Sequence, residues 1–474
     1  MRDETELRIL QVSTMDRLGG AEKVAWDLFR TYRLQGHGSW LAVGHKRTND
    51  PDVLVISTER ERTCALDDAV RFQPPRAPTR AAKLLTRALT KVGDEVEAYC
   101  GIEPFRYPGT WQLLKLSPQQ PNIVHCHNLH AGFFDLRALP WLSAEVGLIL
   151  TLHDMWLLTG HCSHSLDCER WKTGCGRCPD LNLFPAIRRD ATRFNWWRKH
   201  RLYERSRLRV ATPSRWLMDK VQQSILRDAI VESRVIPNGV DLSIFHPAAK
   251  PDIRASLGIA PNATVLVFAA NGVRNNPWKD YASLRTAIAQ LAARSQDAIL
   301  LLAIGEQAAP EFIGRAEIRF VPHQANPGAM ARYYQAADLY VHAARVDTFP
   351  LTILEALACG LPVVAHAVGG VPEQLRALRG AGAWNTASVA CGPDRATGIL
   401  APPGDPDGLA SALEPLLGDV ALRSQMGLNA ALDARERFDL ELQVQRYLGW
   451  YRELVNSRRP RTSDTERSAQ AAIA

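Results

Sequence analysis

The sequence predicts an α/β protein built from two doubly wound parallel sheets. Short aliphatic and β-branched runs alternate with longer amphipathic stretches, which is the pattern of strands joined by covering helices. These runs fall into two series separated by a turn-rich segment. The chain has 474 residues, more than one core usually supports, so its length also favours two domains.

The candidate strands follow in chain order on either side of the turn-rich segment. The first series consists of Leu7–Ser13, Ser39–Gly44, Val53–Ser57, Asn122–Cys126, Leu148–Leu152 and Val210–Pro213. The second series consists of Thr264–Ala270, Ala298–Gly305, Ile318–Pro322, Leu339–Ala343, Pro362–His366 and Gly398–Ala401. Between them, Pro237 restricts its neighbour and Asn238-Gly239 is a turn dipeptide, which favours a linker over Val235–Asp241.

These observations predict the following division of the chain. Residues 1–236 would form the first domain, and residues 237–439 the second domain. A helix over residues 440–455 carries an apolar stripe that needs a partner surface, so we expect it to cross back to the first domain. The tail 456–474 is rich in Arg, Ser, Thr and Ala, and we expect it to be disordered.

The composition is that of an ordinary globular protein, with 46% hydrophobic and 23% charged residues. The chain has 57 Lys and Arg against 50 Asp and Glu, and the net charge of +7 suggests an anionic partner. The charged amino terminus lacks the apolar segment of a secretory signal, so we expect a cytoplasmic protein. Apolar runs shorter than the ~18 residues of a spanning helix predict no membrane span.

Two features of the first half suggest a ligand site. Gly19-Gly20 lies between a strand and a helix, where a backbone without side chains and free helix N–H groups suit a phosphate. A tight structural turn explains the pair equally well. His153 ends a strand at the edge where parallel sheets bind ligands, although a buried or capping histidine is the plainer alternative.

Four cysteines follow His153 closely, with His161 and His164 among them. They are Cys162, Cys168, Cys175 and Cys178. The last two form a Cys-x2-Cys pair typical of one side of a tetrahedral zinc site, but the spacing of the first two is unusual. A structural zinc site and reduced structural thiols are both open, and a disulfide or redox role is the third alternative.

Two basic segments with interspersed apolar or aromatic residues cover 71–91 and 188–209. Such segments can lie on anionic membranes, which would make the protein peripheral on the inner face of the plasma membrane. A solvated helix face is the alternative. Nucleic acid is not expected, because no recognised binding motif accompanies the charge.

The most specific pattern lies in the second half, where Asp347 and Glu355 bracket a short loop and the start of a helix. Loop N–H groups and the helix dipole can hold a diphosphate while the carboxylates accept sugar hydroxyls. Lys279 follows the first strand of this half and could neutralise the same phosphates, with assistance from Arg274. The pattern favours a nucleotide-sugar ligand.

Taken together, these motifs resemble the retaining GT-B glycosyltransferases of family 4, the glycosyl transferases group 1 set. The resemblance covers roughly residues 7–455, and the matching motifs are Gly19-Gly20-Ala21-Glu22, His153, Ile236-Pro237-Asn238-Gly239-Val240-Asp241, Lys279, Asp347 and Glu355. The stretches 151–156 and 159–179 are more closely similar to a subgroup of bacterial exopolysaccharide and colanic-acid-type transferases. The resemblance implies two facing Rossmann-like domains with a cleft between them, residues 1–236 on the acceptor side and residues 237–439 binding the nucleotide-sugar.

The resemblance also implies roles for residues of the second half. Glu355 would bind the ribose hydroxyls of the donor, and Asp347 would lie beside the donor sugar. The amides of Leu351 and Thr352 would meet the diphosphate, and Lys279 would neutralise it as it leaves.

In the first half, the resemblance implies that the Gly19-Gly20 loop closes on the phosphates. His153 would sit near the transferred sugar and orient it.

We therefore expect a metal-independent hexosyltransferase of polysaccharide biosynthesis. It would move a hexose from a UDP- or GDP-sugar to a hydroxyl of a saccharide, expected to be lipid-linked, with retention at the anomeric carbon. Electrostatic stabilisation by Lys279 and helix amides would take the place of a catalytic divalent ion. Two alternatives stay open: a non-hydrolysing nucleotide-sugar epimerase and a catalytically silent sugar-nucleotide-binding subunit of an assembly complex.

Overall fold

The computed structural model describes residues 6–57, 93, 95–295, 297–380 and 390–458. Its first sheet has seven parallel strands in the order β3-β2-β1-β4-β5-β6-β7. They are β1 Arg8–Met15, β2 Gly38–His45, β3 Val53–Val55, β4 Ile123–Cys126, β5 Gly147–Thr151, β6 Leu208–Thr212 and β7 Ile230–Val235. The order reverses between β1 and β4, and ligands bind at such a switch point beyond the carboxyl ends of the strands.

The second sheet also has seven strands, in the order β10-β11-β9-β8-β12-β13-β14. They are β8 Thr264–Ala269, β9 Ile299–Ile304, β10 Glu311–Ile313, β11 Ala316–Val321, β12 Leu339–His342, β13 Val363–His366 and β14 Gly398–Ala401. Only β10 pairs in the antiparallel direction among these strands. The switch point lies between β8 and β12, and the prediction of two doubly wound parallel sheets is confirmed.

Helices cover both sheets. They are α1 Gly20–Leu34, α2 Leu113–Leu116, α3 Leu139–Glu145, α4 Thr192–Tyr203, α5 Arg215–Gln222, α6 Lys250–Ser256, α7 Tyr281–Arg294, α8 Pro327–Ala336, α9 Leu351–Ala358, α10 Val371–Gln374, α11 Pro406–Gly418, α12 Val420–Arg437 and α13 Leu440–Arg458. A further helical stretch covers 95–99. Strands β4, β5, β9, β12, β13 and β14 are buried along their whole length, as expected for parallel strands covered on both faces.

The carboxyl-terminal helix α13 packs against the first sheet. Its apolar residues share a buried cluster with residues of β1, α1 and β5, and Tyr447, Trp450 and Tyr451 are fully buried there. The Tyr32 and Tyr451 rings meet edge to face with centroids 5.7 Å apart. The apolar stripe therefore has its partner surface on the first half of the chain, and the helix extends three residues beyond the predicted segment. The predicted tail from residue 459 onward lies outside the described residues.

Two edge strands, β7 and β10, were not among the predicted strands. Strand β7 includes Glu232, Ser233 and Arg234 and has no fully buried residue. Strand β10 is three residues long and pairs only with β11. Neither has a continuous buried apolar run like that of the predicted edge strand β14, which is why composition did not reveal them. Among the described residues, no helix combines the length and apolar character needed to span a bilayer.

Candidate active site

Lys279 and Asp347 form an ion pair at the switch point of the second sheet. Lys279 follows β8, Asp347 follows β12, and the Nζ–Oδ2 distance is 2.6 Å. His342, the last residue of β12, approaches the same Oδ2 with its Nε2 at 3.3 Å. Burial alone would raise the pKa of Asp347, but Lys279 and His342 hold it well below its usual range. Two residues that the sequence singled out separately are thus brought together as opposite charges.

Glu355 lies on α9, which begins directly after Pro350, and its side chain is only 6% exposed. The Tyr334 hydroxyl donates to Glu355 Oε2 at 3.1 Å. Burial raises the pKa of Glu355 to about 7, although Lys23 of α1 acts across the cleft in the opposite direction. A carboxyl group poised near neutral pH at the cleft is typical of a functional site.

The start of α9 offers unsatisfied backbone groups. Leu351 and Thr352 are its first two residues, and the capping residue Pro350 supplies no side-chain hydrogen bond. Their N–H groups have no partner within the helix, so they can meet an anion. The hydroxyl of Thr348 is buried without a partner among the described residues. A ligand at this position would satisfy groups that the protein itself leaves open.

His153 ends a row of buried histidines on the first sheet. Its Nε2 lies 3.0 Å from Nδ1 of His127, whose Nε2 lies 2.8 Å from Oε1 of Gln11. Burial lowers the pKa of His153 to about 4, so the imidazole is neutral near pH 7. Because His127 and Gln11 fix the ring, His153 is a rigid neutral group at the carboxyl edge of β5.

Next to His153, Asp154 and His130 form a second charged pair, with Oδ2 and Nε2 2.8 Å apart. Burial would lower the pKa of His130, but Asp154 raises it above its usual value. Nδ1 of His130 is buried and has no partner among the described residues. The first half of the chain thus contributes a neutral histidine and an ion pair to the cleft.

The glycine pair caps and begins α1. A Cβ atom on Gly19 would lie 2.0 Å from Glu22 Oε2, whereas one on Gly20 would meet no atom within 4 Å. The residue before the pair, Leu18, adopts a φ of 106°, a conformation that few non-glycine residues take. Gly20 therefore borders open space, as a loop that approaches a ligand requires.

The side chain of Arg274 is already paired with Glu306. Its Nε donates to Glu306 Oε1 at 2.6 Å, and its own backbone N–H donates to the other oxygen of Glu306 at 2.9 Å. The guanidinium also lies 5.2 Å from the centroid of the Phe320 ring. A phosphate would have to compete with Glu306 for this side chain.

The structural zinc site that was one expectation for the four cysteines stays a prediction. In the described part of the chain, no group of three or more His, Cys, Asp or Glu side chains could hold a metal ion. Cys175 Sγ accepts the Gly160 N–H at 3.3 Å, and Cys178 Sγ lies 3.3 Å from His161 Nε2. Burial raises the pKa of the Cys162 thiol to about 12. All four are free cysteines, as in the reduced-thiol alternative.

A buried lysine stabilises the loop that carries these cysteines. Lys199 Nζ donates to the carbonyl oxygens of Trp156 at 2.9 Å and Thr159 at 3.1 Å, and pairs with Glu103 Oε2 at 2.9 Å. Lys199 was counted in the solvent-facing basic segment 188–209, which was wrong for this residue because its side chain is fully buried. The other basic segment, 71–91, lies outside the described residues.

Several residues of the site were not singled out from the sequence. They are His342, Tyr334, Asp154, His130, His127 and Lys23. Sequence position could have identified His342 and His127 as candidate site residues, because both lie at the carboxyl end of a strand next to a switch point. Tyr334 and Lys23 reach the site from helices distant in sequence, and no local pattern reveals that.

Comparison with known proteins identifies the family. The family model for glycosyl transferases group 1 matches residues 249–433, and that for glycosyltransferase family 4 matches residues 18–244. A colanic acid biosynthesis glycosyl transferase of Escherichia coli, WcaC, is 27% identical over 52% of this chain and 60% of its own length. A D-inositol 3-phosphate glycosyltransferase of Actinosynnema mirum is 37% identical over 30% of this chain and 37% of its own length. The match thus spans less than two thirds of either relative.

Solved structures share the architecture over nearly the whole chain. Sucrose-phosphate synthase of Thermosynechococcus elongatus superposes with a TM-score of 0.60, 18% identity and coverage of 95% of this chain and 100% of its own. HepE of Anabaena, in complex with UDP and glucose, gives a TM-score of 0.57, 18% identity and coverage of 94% and 99%. These matches show the GT-B fold, and the two family models show that the chain belongs to the glycosyltransferases of family 4, the glycosyl transferases group 1 set.

Proposed function

We propose that this protein transfers a hexose from a UDP- or GDP-sugar to a hydroxyl of a saccharide acceptor, with retention at the anomeric carbon. The observation that carries the proposal is the Lys279–Asp347 ion pair at the switch point of the second sheet. Its position beside the open start of α9 and the buried Glu355 provides a cation, amide donors and a carboxyl group for one nucleotide-sugar.

In this proposal, the protein stabilises the leaving diphosphate by fixed charge. The bond between the anomeric carbon and the diphosphate oxygen breaks while Lys279 and the amides of Leu351 and Thr352 receive the developing charge. The acceptor hydroxyl attacks from the same face, and its proton passes to an oxygen of the departing diphosphate. His153, which is neutral and held by His127, orients the sugar. No divalent ion is required for this sequence of events.

Relatives support the donor and acceptor classes. HepE of Anabaena was solved with UDP, with UDP and glucose, and with UDP-glucose. WcaC is named for colanic acid biosynthesis, which supports a saccharide acceptor within polysaccharide biosynthesis. A lipid-linked acceptor would bring the protein to the inner face of the plasma membrane, in line with the exposed aromatic residues Phe194 and Trp197 on the basic helix α4.

Donor turnover distinguishes this function from its two alternatives. UDP- and GDP-hexoses are first screened for protection against heat unfolding, and the protective donor is then incubated with saccharide acceptors. Transfer predicts nucleoside diphosphate release that depends on the acceptor. An epimerase would convert the donor sugar into its epimer without an acceptor, and a silent subunit would bind the donor without consuming it.

The variant Lys279→Ala tests the site within the same assay. We expect transfer to fall at least about a hundredfold, since a group that stabilises developing charge is worth roughly 2.7–4 kcal/mol. Lys115→Ala removes an exposed lysine of α2 and should leave turnover unchanged. Turnover by Lys279→Ala close to that of the control would contradict the assignment.

A further inference from the structure

His164 lies on the loop between β5 and α4, and its main chain is anchored on both sides. The neighbouring residues Ser163 and Ser165 are buried. Ser163 donates its N–H to the Phe184 carbonyl at 2.7 Å, and its own carbonyl accepts the Met155 N–H at 2.7 Å. The loop therefore holds His164 in one position.

From this position the imidazole of His164 contacts the other half of the molecule. Its ring meets the Trp278 ring edge to face, with centroids 5.2 Å apart. Trp278 directly precedes Lys279 and is itself fixed, because Asn276 Oδ1 accepts its N–H at 2.9 Å and its carbonyl accepts the Arg345 N–H at 3.0 Å. His164 thus approaches the cleft beside the Lys279–Asp347 pair.

One nitrogen of this imidazole is unused. Nδ1 of His164 is buried and has no hydrogen-bond partner among the described residues. The charges of Asp154, Asp347 and Lys279 all act on the ring, which locates it between the charged groups of the two halves. Burial lowers the pKa of His164, so the ring is neutral and offers one N–H donor and one acceptor nitrogen. Buried polar atoms are normally paired, and an unpaired one at a cleft indicates a missing ligand group.

We propose that His164 is a donor-site residue whose Nδ1 hydrogen-bonds a hydroxyl of the transferred sugar and helps to determine which hexose is accepted. This inference rests on the proposed function and deepens it. A neutral imidazole suits a hydroxyl, which both donates and accepts, whereas the diphosphate is served by Lys279. Trp278 keeps the ring in place. A sugar epimer with this hydroxyl in the opposite orientation would therefore leave Nδ1 of His164 unpaired, as it is without a ligand.

Binding measurements can separate the sugar from the nucleotide. Isothermal titration would compare UDP-glucose and GDP-mannose with UDP and GDP alone, for the wild type and for His164→Ala and His164→Phe. We expect both variants to bind the sugar nucleotide ~10-fold more weakly, the worth of one hydrogen bond, and to bind the bare nucleotide as the wild type does. His200→Ala, on α4 away from this contact, is the control and should change neither affinity.

His164→Phe retains a ring for Trp278 and therefore tests the hydrogen bond apart from the packing. If this variant binds the sugar nucleotide as the wild type does, or if bare nucleotide and sugar nucleotide weaken equally, the inference is overturned while the proposed function stands. If the wild type binds none of the UDP- and GDP-hexoses of the heat-unfolding screen, both the inference and the proposed function are overturned.

Discussion

Glu355 is a buried carboxyl group whose ionisation should be measurable in the protein without ligand. Its pKa is raised from 4.5 to about 7 by burial, so folding favours the protonated form. The stabilisation is fully present below pH 4.5 and is lost as the pH rises through 7. The variant Glu355→Gln has a neutral side chain of similar shape at every pH. We therefore expect it to match the wild type in unfolding temperature at pH 5 and to exceed it at pH 8.

This comparison isolates one group, because all other titrations are common to both proteins. Thermal unfolding of the two proteins in parallel across pH 5 to 8 gives the difference directly. A difference in unfolding temperature that stays constant over this range would mean that Glu355 titrates normally, and the account of its burial would be wrong.

The sequence singled out Lys279, Asp347 and Glu355 but not the residues that contact them. Lys279, Asp347 and Glu355 lie in a recognisable local pattern after strands and at the start of a helix. Tyr334 contacts Glu355 from α8, and His164 reaches Trp278 from the other half of the chain. Contacts between distant segments depend on how the two sheets pack, which no local spacing encodes.

Among the elements, α13 is joined to the first sheet by buried hydroxyl groups. The Tyr451 hydroxyl oxygen lies 2.6 Å from Nδ1 of His125, and the Tyr447 hydroxyl oxygen lies 2.8 Å from Thr151 Oγ1. The variant Tyr451→Phe keeps the packing but leaves the His125 nitrogen unpaired. We expect the free energy of unfolding in urea to fall by ~1–3 kcal/mol, the cost of an unsatisfied buried polar group.

The matched control is Tyr333→Phe, which removes a hydroxyl from a half-buried residue of α8. Its free energy of unfolding should stay within about 0.5 kcal/mol of the wild type. Equal stability of Tyr451→Phe and this control would show that the His125–Tyr451 contact contributes nothing.

Every central strand and the edge strands β3 and β14 were predicted, because each carries an apolar run. The edge strands β7 and β10 carry polar residues and escaped prediction. The contact that stabilises the cysteine-containing loop could not be predicted either, because no local pattern reveals it. The buried Lys199 of α4 holds the loop through the Trp156 and Thr159 carbonyls.

For the molecule as a whole, α4 presents a surface suited to anionic lipid. Phe194 and Trp197 are 46% and 51% exposed, with their rings stacked, and Arg193 and Arg201 are exposed beside them. We expect the wild type to bind anionic vesicles more than neutral ones, and to be released by salt. Replacing Phe194 and Trp197 together by Ser should reduce this binding in a sedimentation assay.

Phe312→Ser provides the control, because Phe312 is an exposed aromatic residue on β10 of the other sheet. Vesicle binding that does not depend on lipid charge or salt would exclude α4 as the membrane-facing surface. So would equal vesicle binding by the wild type and the double variant.

The function proposed for the whole molecule is hexosyl transfer with retention at the site of Lys279 and Glu355. Proton NMR of a reaction containing the protective nucleotide-sugar and a saccharide acceptor tests it most directly, since it reports the anomeric configuration of the new bond. We expect loss of the donor, release of nucleoside diphosphate and a product with the donor's anomeric configuration, all suppressed in Lys279→Ala and unaffected in Lys115→Ala. A product of inverted configuration, or equal transfer by Lys279→Ala and the wild type, would contradict it.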